Sequence, residues 1–145
     1  MAEFTYNPVQ EVLFGQNVIL NDSIRCNKGY VLHRNESGIV TLRGIVNNPC
    51  ARFARYRVQF DANIAVPTDG TAGPISVSVA IDGEPIQTSN AIVTPTVVDA
   101  YFNVVSFAII DVPVGCCYTI SVENTSTNTQ SINVQNANLE VTRTA

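Results

Sequence analysis

The sequence has few charged side chains, one histidine and no tryptophan. Only 14% of its 145 residues are charged, against about 25% in an average domain. Asn, Ser, Thr and Gln must therefore supply most of the polar surface. That composition is typical of an all-β protein and excludes a highly charged disordered chain. The length corresponds to one domain.

The motifs of common catalytic sites are also missing. There is no GxSxG, no HExxH, no glycine-rich phosphate loop before a helix and no EF-hand calcium loop. His33 lies in a predicted strand without an acid or nucleophile pattern nearby, so we expect a structural or exposed role for it. Carboxylates that meet only in the folded chain could still form an acid–base pair, but no spacing predicts one. We predict a protein that is not an enzyme and has no cofactor.

The four cysteines form neither a zinc motif nor a dense disulfide framework. Cys26, Cys50, Cys116 and Cys117 include no CxxC pair. Adjacent strand residues point to opposite faces, so Cys116 and Cys117 cannot easily bind one metal ion. We predict no metal site, and small, mostly buried cysteine side chains. A Cys26–Cys50 disulfide is the alternative if the protein meets an oxidant.

No segment has the pattern of a secretory signal or a membrane span. The first twenty residues lack a cationic region before an apolar run, and no apolar run approaches about 20 residues. We expect synthesis in the bacterial cytoplasm and no membrane partner.

The charges are unevenly distributed along the chain. Residues 1–60 hold seven of the eight basic residues and four acids, whereas residues 61–145 hold one basic residue and eight acids. The only basic cluster is Arg52, Arg55 and Arg57, with the last two on one face of a predicted strand. It could bind a phosphate or a partner's carboxylate, or it could be a solvated strand face. Its density is too low for nucleic acid, so we predict no nucleic-acid partner.

Alternation of apolar and polar residues recurs along the chain, and no window has a sustained helical period. The clearest case is RYRVQFDANIAV, in which Tyr56, Val58 and Phe60 begin one apolar face. Asp82–Gly83 predicts a tight hairpin turn. A change of parity between Val134 and Leu139 predicts a β-bulge. We predict an all-β jelly-roll sandwich of about 8–10 strands, with a domain at residues 17–145 and an N-terminal arm or edge strand at residues 1–16.

The segment YFNVVSFAII is apolar on both faces of its predicted strand. Tyr101, Val105, Phe107 and Ile109 share one parity, and Phe102, Val104, Ala108 and Ile110 share the other. A sandwich covers only one face of each sheet with its own core, so the second face needs another cover. Another layer, a ligand pocket and further subunits are the options, and we favour further subunits because closed oligomers remove such patches. The candidate interface residues are Tyr101, Phe102, Val104, Phe107 and Tyr118.

The order of strands and turns resembles the trimeric jelly rolls of the tumour-necrosis-factor and complement-head type, including bacterial versions that tip collagen-like spore-surface filaments. The matching elements are the long alternating strand, the IDGEPI hairpin, the apolar strand ended by VPVG, and the closing pair around VENTS. The likeness covers residues 38–143 and implies a homotrimer. The chain departs from the spore-filament pattern because it has no collagenous stalk.

The whole chain, including VLFGQNVILND, also resembles small structural proteins associated with phage genes in gut Firmicutes. This likeness implies a virion protein that decorates or cements the phage head surface, with the major capsid protein as its partner. The loops at 69–73 and 126–130 would then face solvent. The candidate capsid contacts are Phe4, Tyr6, Arg52, Arg55 and Arg57.

A carbohydrate- or receptor-binding head of a phage fibre or bacterial surface filament is the alternative. Asn- and Thr-rich loops would bind sugar hydroxyls in such a module. An exposed aromatic platform in a loop would favour this function, and the sequence by itself indicates none.

Overall fold

A computed structural model describes residues 1–25, 29–34, 36–44, 50 and 52–144. They form two six-stranded antiparallel sheets. The first sheet has the order β10 (Phe102–Pro113), β6 (Phe53–Ala65), β12 (Ile132–Arg143), β1 (Ala2–Tyr6) and β3 (Asp22–Arg25), with β2 (Gln10–Val12) also paired to β12. The second has the order β4 (Val31–His33), β5 (Val40–Arg43), β11 (Cys117–Asn124), β7 (Ile75–Ile81) and β8 (Glu84–Pro85), with β9 (Ala91–Val93) paired to β7.

The described segments contain one short 3₁₀ turn, Gln87–Ser89, and no α-helix. None of them includes a helix with the length and hydropathy needed to cross a membrane. The predicted jelly-roll sandwich is confirmed, with twelve strands in place of about 8–10 because several are only two to four residues long.

The core lies between the sheets and follows the alternation of the long strands. Tyr56, Val58, Phe60, Ala62 and Ile64 of β6 are all at most 1% exposed, as their common parity predicts. Two sequence signals are confirmed in the same way. Asp82 and Gly83 both have positive φ in the β7–β8 turn, and the register of β12 shifts between Gln135 and Asn138.

The first residues do not form an arm. Ala2–Tyr6 is an interior strand that pairs with β12 on one side and β3 on the other, so residues 1–16 belong to the sandwich. Its side chains alternate, and Phe4 is only 2% exposed. A five-residue strand gives too few alternations to be recognised without its partners.

His33, for which the sequence predicts a structural or exposed role, is half-buried and contacts Ser37, Ser23 and Phe4. Its Nε2 lies 2.9 Å from the Ser37 carbonyl oxygen and its Nδ1 lies 3.2 Å from Ser23 Oγ. Because a carbonyl oxygen only accepts, Nε2 carries the proton and Nδ1 accepts from the serine hydroxyl. The ring packs on Phe4 with centroids 4.5 Å apart.

One local expectation needs correction. Cys50, Cys116 and Cys117 are exposed, not buried, because they lie in or beside turns at the ends of strands; Cys26 is outside the described residues. Ser76 and Ser78 of β7 alternate with apolar residues but are themselves buried, because segments distant in sequence cover them. The loops at 69–73 and 126–130 bond to each other, with the Thr71 amide donating to Gln130 Oε1 at 3.1 Å, and most of their residues are exposed to solvent.

Candidate functional site

The most prominent surface feature is a row of exposed apolar side chains on β10. Val105, Phe107 and Ile109, here called the apolar stripe, are 53%, 42% and 60% exposed. The alternate residues of the same strand, from Val104 to Val112, face the core and are buried. One face of the strand is therefore covered by the protein's own sandwich, and the other face is exposed to solvent.

The stripe is accessible because its side chains point away from the core on the outer face of the sheet. β10 pairs with β6 along its whole length and has no second neighbour among the described strands, so it also forms an edge of the sheet. On the outer face, Ile109 lies opposite Arg57 in this register. The Arg57 guanidinium lies over the Phe107 ring, 5.2 Å from its centroid. Cation–π contact of this kind keeps the ring and the guanidinium in place at the surface.

An ion pair marks one end of the stripe. Arg55 donates to both carboxylate oxygens of Asp111, at 2.7 and 3.0 Å. This bond lowers the pKa of Asp111. Both side chains are 43% exposed, so the pair fixes the geometry of the strand ends more than it stabilises the fold.

The middle of the same sheet face carries three carboxylates. Glu3 of β1 lies directly opposite Glu140 of β12. Glu140 in turn lies opposite Gln59 of β6, and Asp61 follows Gln59 on the same face of that strand. Burial raises the pKa of Asp61, and the nearby Glu140 and Glu3 raise it further. Glu3, Asp61 and Glu140 are here called the acidic patch. The sheet face is thus apolar and basic at its β10 edge and acidic at its centre.

Replacing Asp61 by asparagine should stabilise the isolated chain at neutral pH. A carboxyl whose folded pKa is raised contributes stability below its unfolded pKa, about 3.9, and loses it as the pH rises through the folded pKa. Asn cannot ionise and keeps the shape. Thermal melts in dilute solution should give a higher Tm for Asp61→Asn at pH 7 and a smaller difference near pH 3.

Asp69→Asn is the matched control, because Asp69 lies on an exposed loop. Its Tm should follow the unmodified chain at both pH values. If Asp61→Asn lowers the Tm at pH 7, the acidic patch does not destabilise the chain.

The structure divides the five predicted interface residues into two groups. Tyr101, Phe102 and Phe107 are exposed, at 38%, 42% and 42%. Val104 is 7% exposed, and Tyr118 is partly buried against the core. The sandwich itself covers both, because they occupy the core parity of β10 and β11.

The predicted capsid contacts differ in their exposure to solvent. Phe4 is buried in the core and cannot contact a partner, because the segment assigned to an arm is an interior strand. Tyr6 is partly buried and Arg52 and Arg57 are exposed. Arg55 is bound by Asp111 and lies 4.8 Å from the centroid of the Phe53 ring.

Sequence reasoning did not identify the acidic patch as part of this surface. Its three members come from residues 3, 61 and 140, and only the β6–β12–β1 register brings them together. The stripe itself was recognisable from parity. Within the part of the chain that the structure describes, no group of three or more His, Cys, Asp or Glu side chains could hold a metal ion.

Comparisons with known proteins bear on the fold. No protein-family model and no curated protein sequence matches the chain. Several solved structures are similar over nearly the whole chain, and two of them illustrate the likeness. The globular domain of zebrafish complement 1qA protein has a TM-score of 0.64 and 11% identity, covering 97% of this chain and 94% of that one. Eiger TNF from S. frugiperda has a TM-score of 0.68 and 12% identity, covering 99% of this chain and 91% of that one. The chain therefore has the jelly-roll fold of the tumour-necrosis-factor and complement 1q globular domains.

Proposed function

We propose that the protein is a non-enzymatic homotrimer that assembles through the outer face of its first sheet. The apolar stripe is the observation that carries this proposal. Three exposed branched or aromatic side chains lie in one row on an edge strand, and leaving them in water forgoes about 25 cal/mol for each Å² that could be buried.

The charges on the same face favour another copy of this chain as the partner. The stripe lies beside Arg57 at Ile109. The acidic patch begins on the neighbouring strand with Asp61, which lies opposite Val105, and continues across β12 to Glu3 of β1. A head-to-tail contact places the stripe and Arg57 of one protomer against the acidic patch of the next. A heterologous contact of this kind closes into a ring when the rotation fits, and the sequence resemblance to trimeric jelly rolls supports three copies.

The mass of the purified protein in solution tests the assembly. We expect a species of three times the 15.7 kDa of one chain by light scattering after size exclusion, at micromolar concentration. High salt should weaken this trimer, because it screens the attraction between the charges of neighbouring protomers. A single-chain mass at all accessible concentrations would leave the stripe uncovered and contradict the proposal.

The more specific proposal is that the trimer decorates a phage head and binds the major capsid protein. It rests on the sequence resemblance to phage-associated structural proteins. Sites on a capsid repeat many times, so weak contacts suffice through avidity. Cosedimentation of the purified protein with capsids that lack it tests this function. Absence of binding at saturating protein would exclude it without affecting the trimer.

A carbohydrate- or receptor-binding head is the second candidate function. The observation that favours it is a polar cleft with an exposed aromatic ring at its rim, on the second sheet. The same purified trimer can be tested for both functions, since the stripe and the cleft involve different residues.

A further inference from the structure

A cleft of about 330 Å³ opens on the outer side of the second sheet. Its floor is formed by Ser78 of β7 and Glu123 of β11, which lie opposite each other in the antiparallel register. Gln87 and Asn90 line one side, Thr125 lies beside them, and Phe14 forms the opposite rim. This volume is at the lower end of the range for small-molecule sites, about 300–1,000 Å³.

Phe14 is an exposed aromatic side chain held by a rigid turn. It is 50% exposed. The Gln16 amide donates to the Leu13 carbonyl at 3.0 Å and closes the turn, in which Gly15 has a φ of +76°. The Gly15 amide donates to the Asn124 carbonyl at 3.0 Å, which fixes the turn to the end of β11. The exposed aromatic platform that the sequence alone does not indicate is therefore present beside the cleft.

A network of hydroxyl groups fixes the orientation of Asn90. Its Oδ1 accepts from Ser78 Oγ at 2.7 Å and from Thr125 Oγ1 at 2.8 Å. Because the Thr125 proton is used there, Ser76 Oγ donates to Thr125 Oγ1 at 2.9 Å. Both acceptor positions of Asn90 Oδ1 are occupied, and its Nδ2 has no partner among the described residues. The network thus leaves an amide donor at the cleft.

Glu123 supplies the complementary acceptor. Its carboxylate is partly buried and makes no hydrogen bond or ion pair within the described part of the chain. Burial raises the pKa of Glu123, and the neighbouring Glu84 raises it further. None of the described Lys, Arg or His residues lines the cleft, so an anionic ligand would meet a carboxylate without a positive charge beside it.

We propose that this cleft binds a neutral sugar with adjacent hydroxyl groups. Glu123 accepts from one hydroxyl, Asn90 Nδ2 donates to its neighbour, and the apolar face of the sugar ring packs on Phe14. A metal ion could not use the Asn90 donor or the aromatic ring, and an anion could not use the carboxylate. This inference rests on the second candidate function and is independent of the proposed assembly.

Spectra of the ¹⁵N-labelled full chain test the site. The probes are the free monosaccharides glucose, galactose, mannose, fucose and N-acetylglucosamine, titrated to about 50 mM, which detects millimolar Kd values. At least one should give saturable shifts of the amides of Phe14, Ser78, Asn90 and Glu123. Phe14→Ala and Glu123→Gln should each weaken binding by about tenfold.

Leu13→Ala is the matched control, because Leu13 is equally exposed, at 50%, and does not line the cleft. The Leu13→Ala variant should bind the sugar with the same affinity as the unmodified chain. The proposal is overturned if no sugar gives saturable shifts, or if the shifts persist unchanged in both cleft variants. Calcium chloride alone is titrated in parallel, and shifts at these amides with calcium but with none of the sugars would assign the cleft to a cation.

The mass of each sample is measured alongside its spectrum. A trimer that binds no sugar contradicts only the cleft, and single chains that bind sugar contradict only the assembly.

Discussion

Replacing Ile109 by aspartate is expected to dissociate the trimer into single chains. Ile109 is 60% exposed in the apolar stripe, beside the Arg55–Asp111 ion pair. A carboxylate there would be buried against the acidic patch of the neighbouring protomer, and Arg57 of the same chain would compensate its charge only in part. The cost of about 3 kcal/mol for each contact corresponds to more than about a hundredfold in affinity. Light scattering and sedimentation at micromolar concentration measure the change.

The fold of the single chain should survive this substitution. The new carboxylate would lie opposite Arg57 in the β10–β6 register, just as Asp111 lies opposite Arg55. The far-ultraviolet circular dichroism should therefore match that of the unmodified chain. Loss of the β-sheet signal would mean that the variant tests folding and not assembly, and Ile109→Thr would then replace it.

Ile92→Asp is the matched control. Ile92 is also 60% exposed and also lies in a strand, β9, but on the second sheet. The Ile92→Asp variant should therefore remain trimeric. If both variants dissociate, or if neither does, the outer face of the first sheet is not the interface.

Replacing Phe60 by alanine is expected to cost about 3–5 kcal/mol of unfolding free energy, the usual range for a buried phenylalanine. Phe60 is fully buried in β6, the strand that joins β10 to β12. That loss is a large fraction of the stability of a typical domain, about 5–15 kcal/mol. Urea denaturation followed by circular dichroism measures it.

Phe107→Ala is the comparison, and we expect it to affect the trimer more than the fold of the single chain. Phe107 lies on the neighbouring strand but is 42% exposed on the outer face. The single chain should lose about 1 kcal/mol or less, whereas the trimer should weaken measurably. Equal destabilisation of the single chain by both substitutions would contradict the assignment of the two faces.

The parity of the long strands was predictable, because β6 and β10 are long enough to show their alternation clearly. Both faces of β10 were recognised as apolar, and the structure confirms that the sandwich covers one of them. The choice of Val104 as an interface residue depended on which parity faces the core; Phe102 shares that parity but lies at the start of β10 and stays exposed. Sequence does not give that parity, because a one-residue shift of register exchanges the faces.

The short strands and the cleft could not be predicted for a different reason. Phe4 was assigned to a partner surface because a five-residue strand is recognisable only from its neighbours, β12 and β3. Ser76 and Ser78 carry a surface pattern, yet Thr125 and Asn90 cover them. Contacts between residues so far apart in the sequence leave no local signal. Phe14 was visible as an aromatic residue, but its place beside Glu123 depends on the backbone hydrogen bond from Gly15 to Asn124.

The pairing of β1 with β12 has a consequence for biosynthesis. Residues 2–6 lie beside residues 137–141 in the finished sheet, so β1 cannot pair with β12 until residues 137–141 have been synthesised. Until then the edges of β1 and β6 that will bond to β12 have unpaired backbone groups, and chaperones or another nascent copy can bind them. We expect slow, late closure of this sheet, as is typical of folds dominated by long-range contacts.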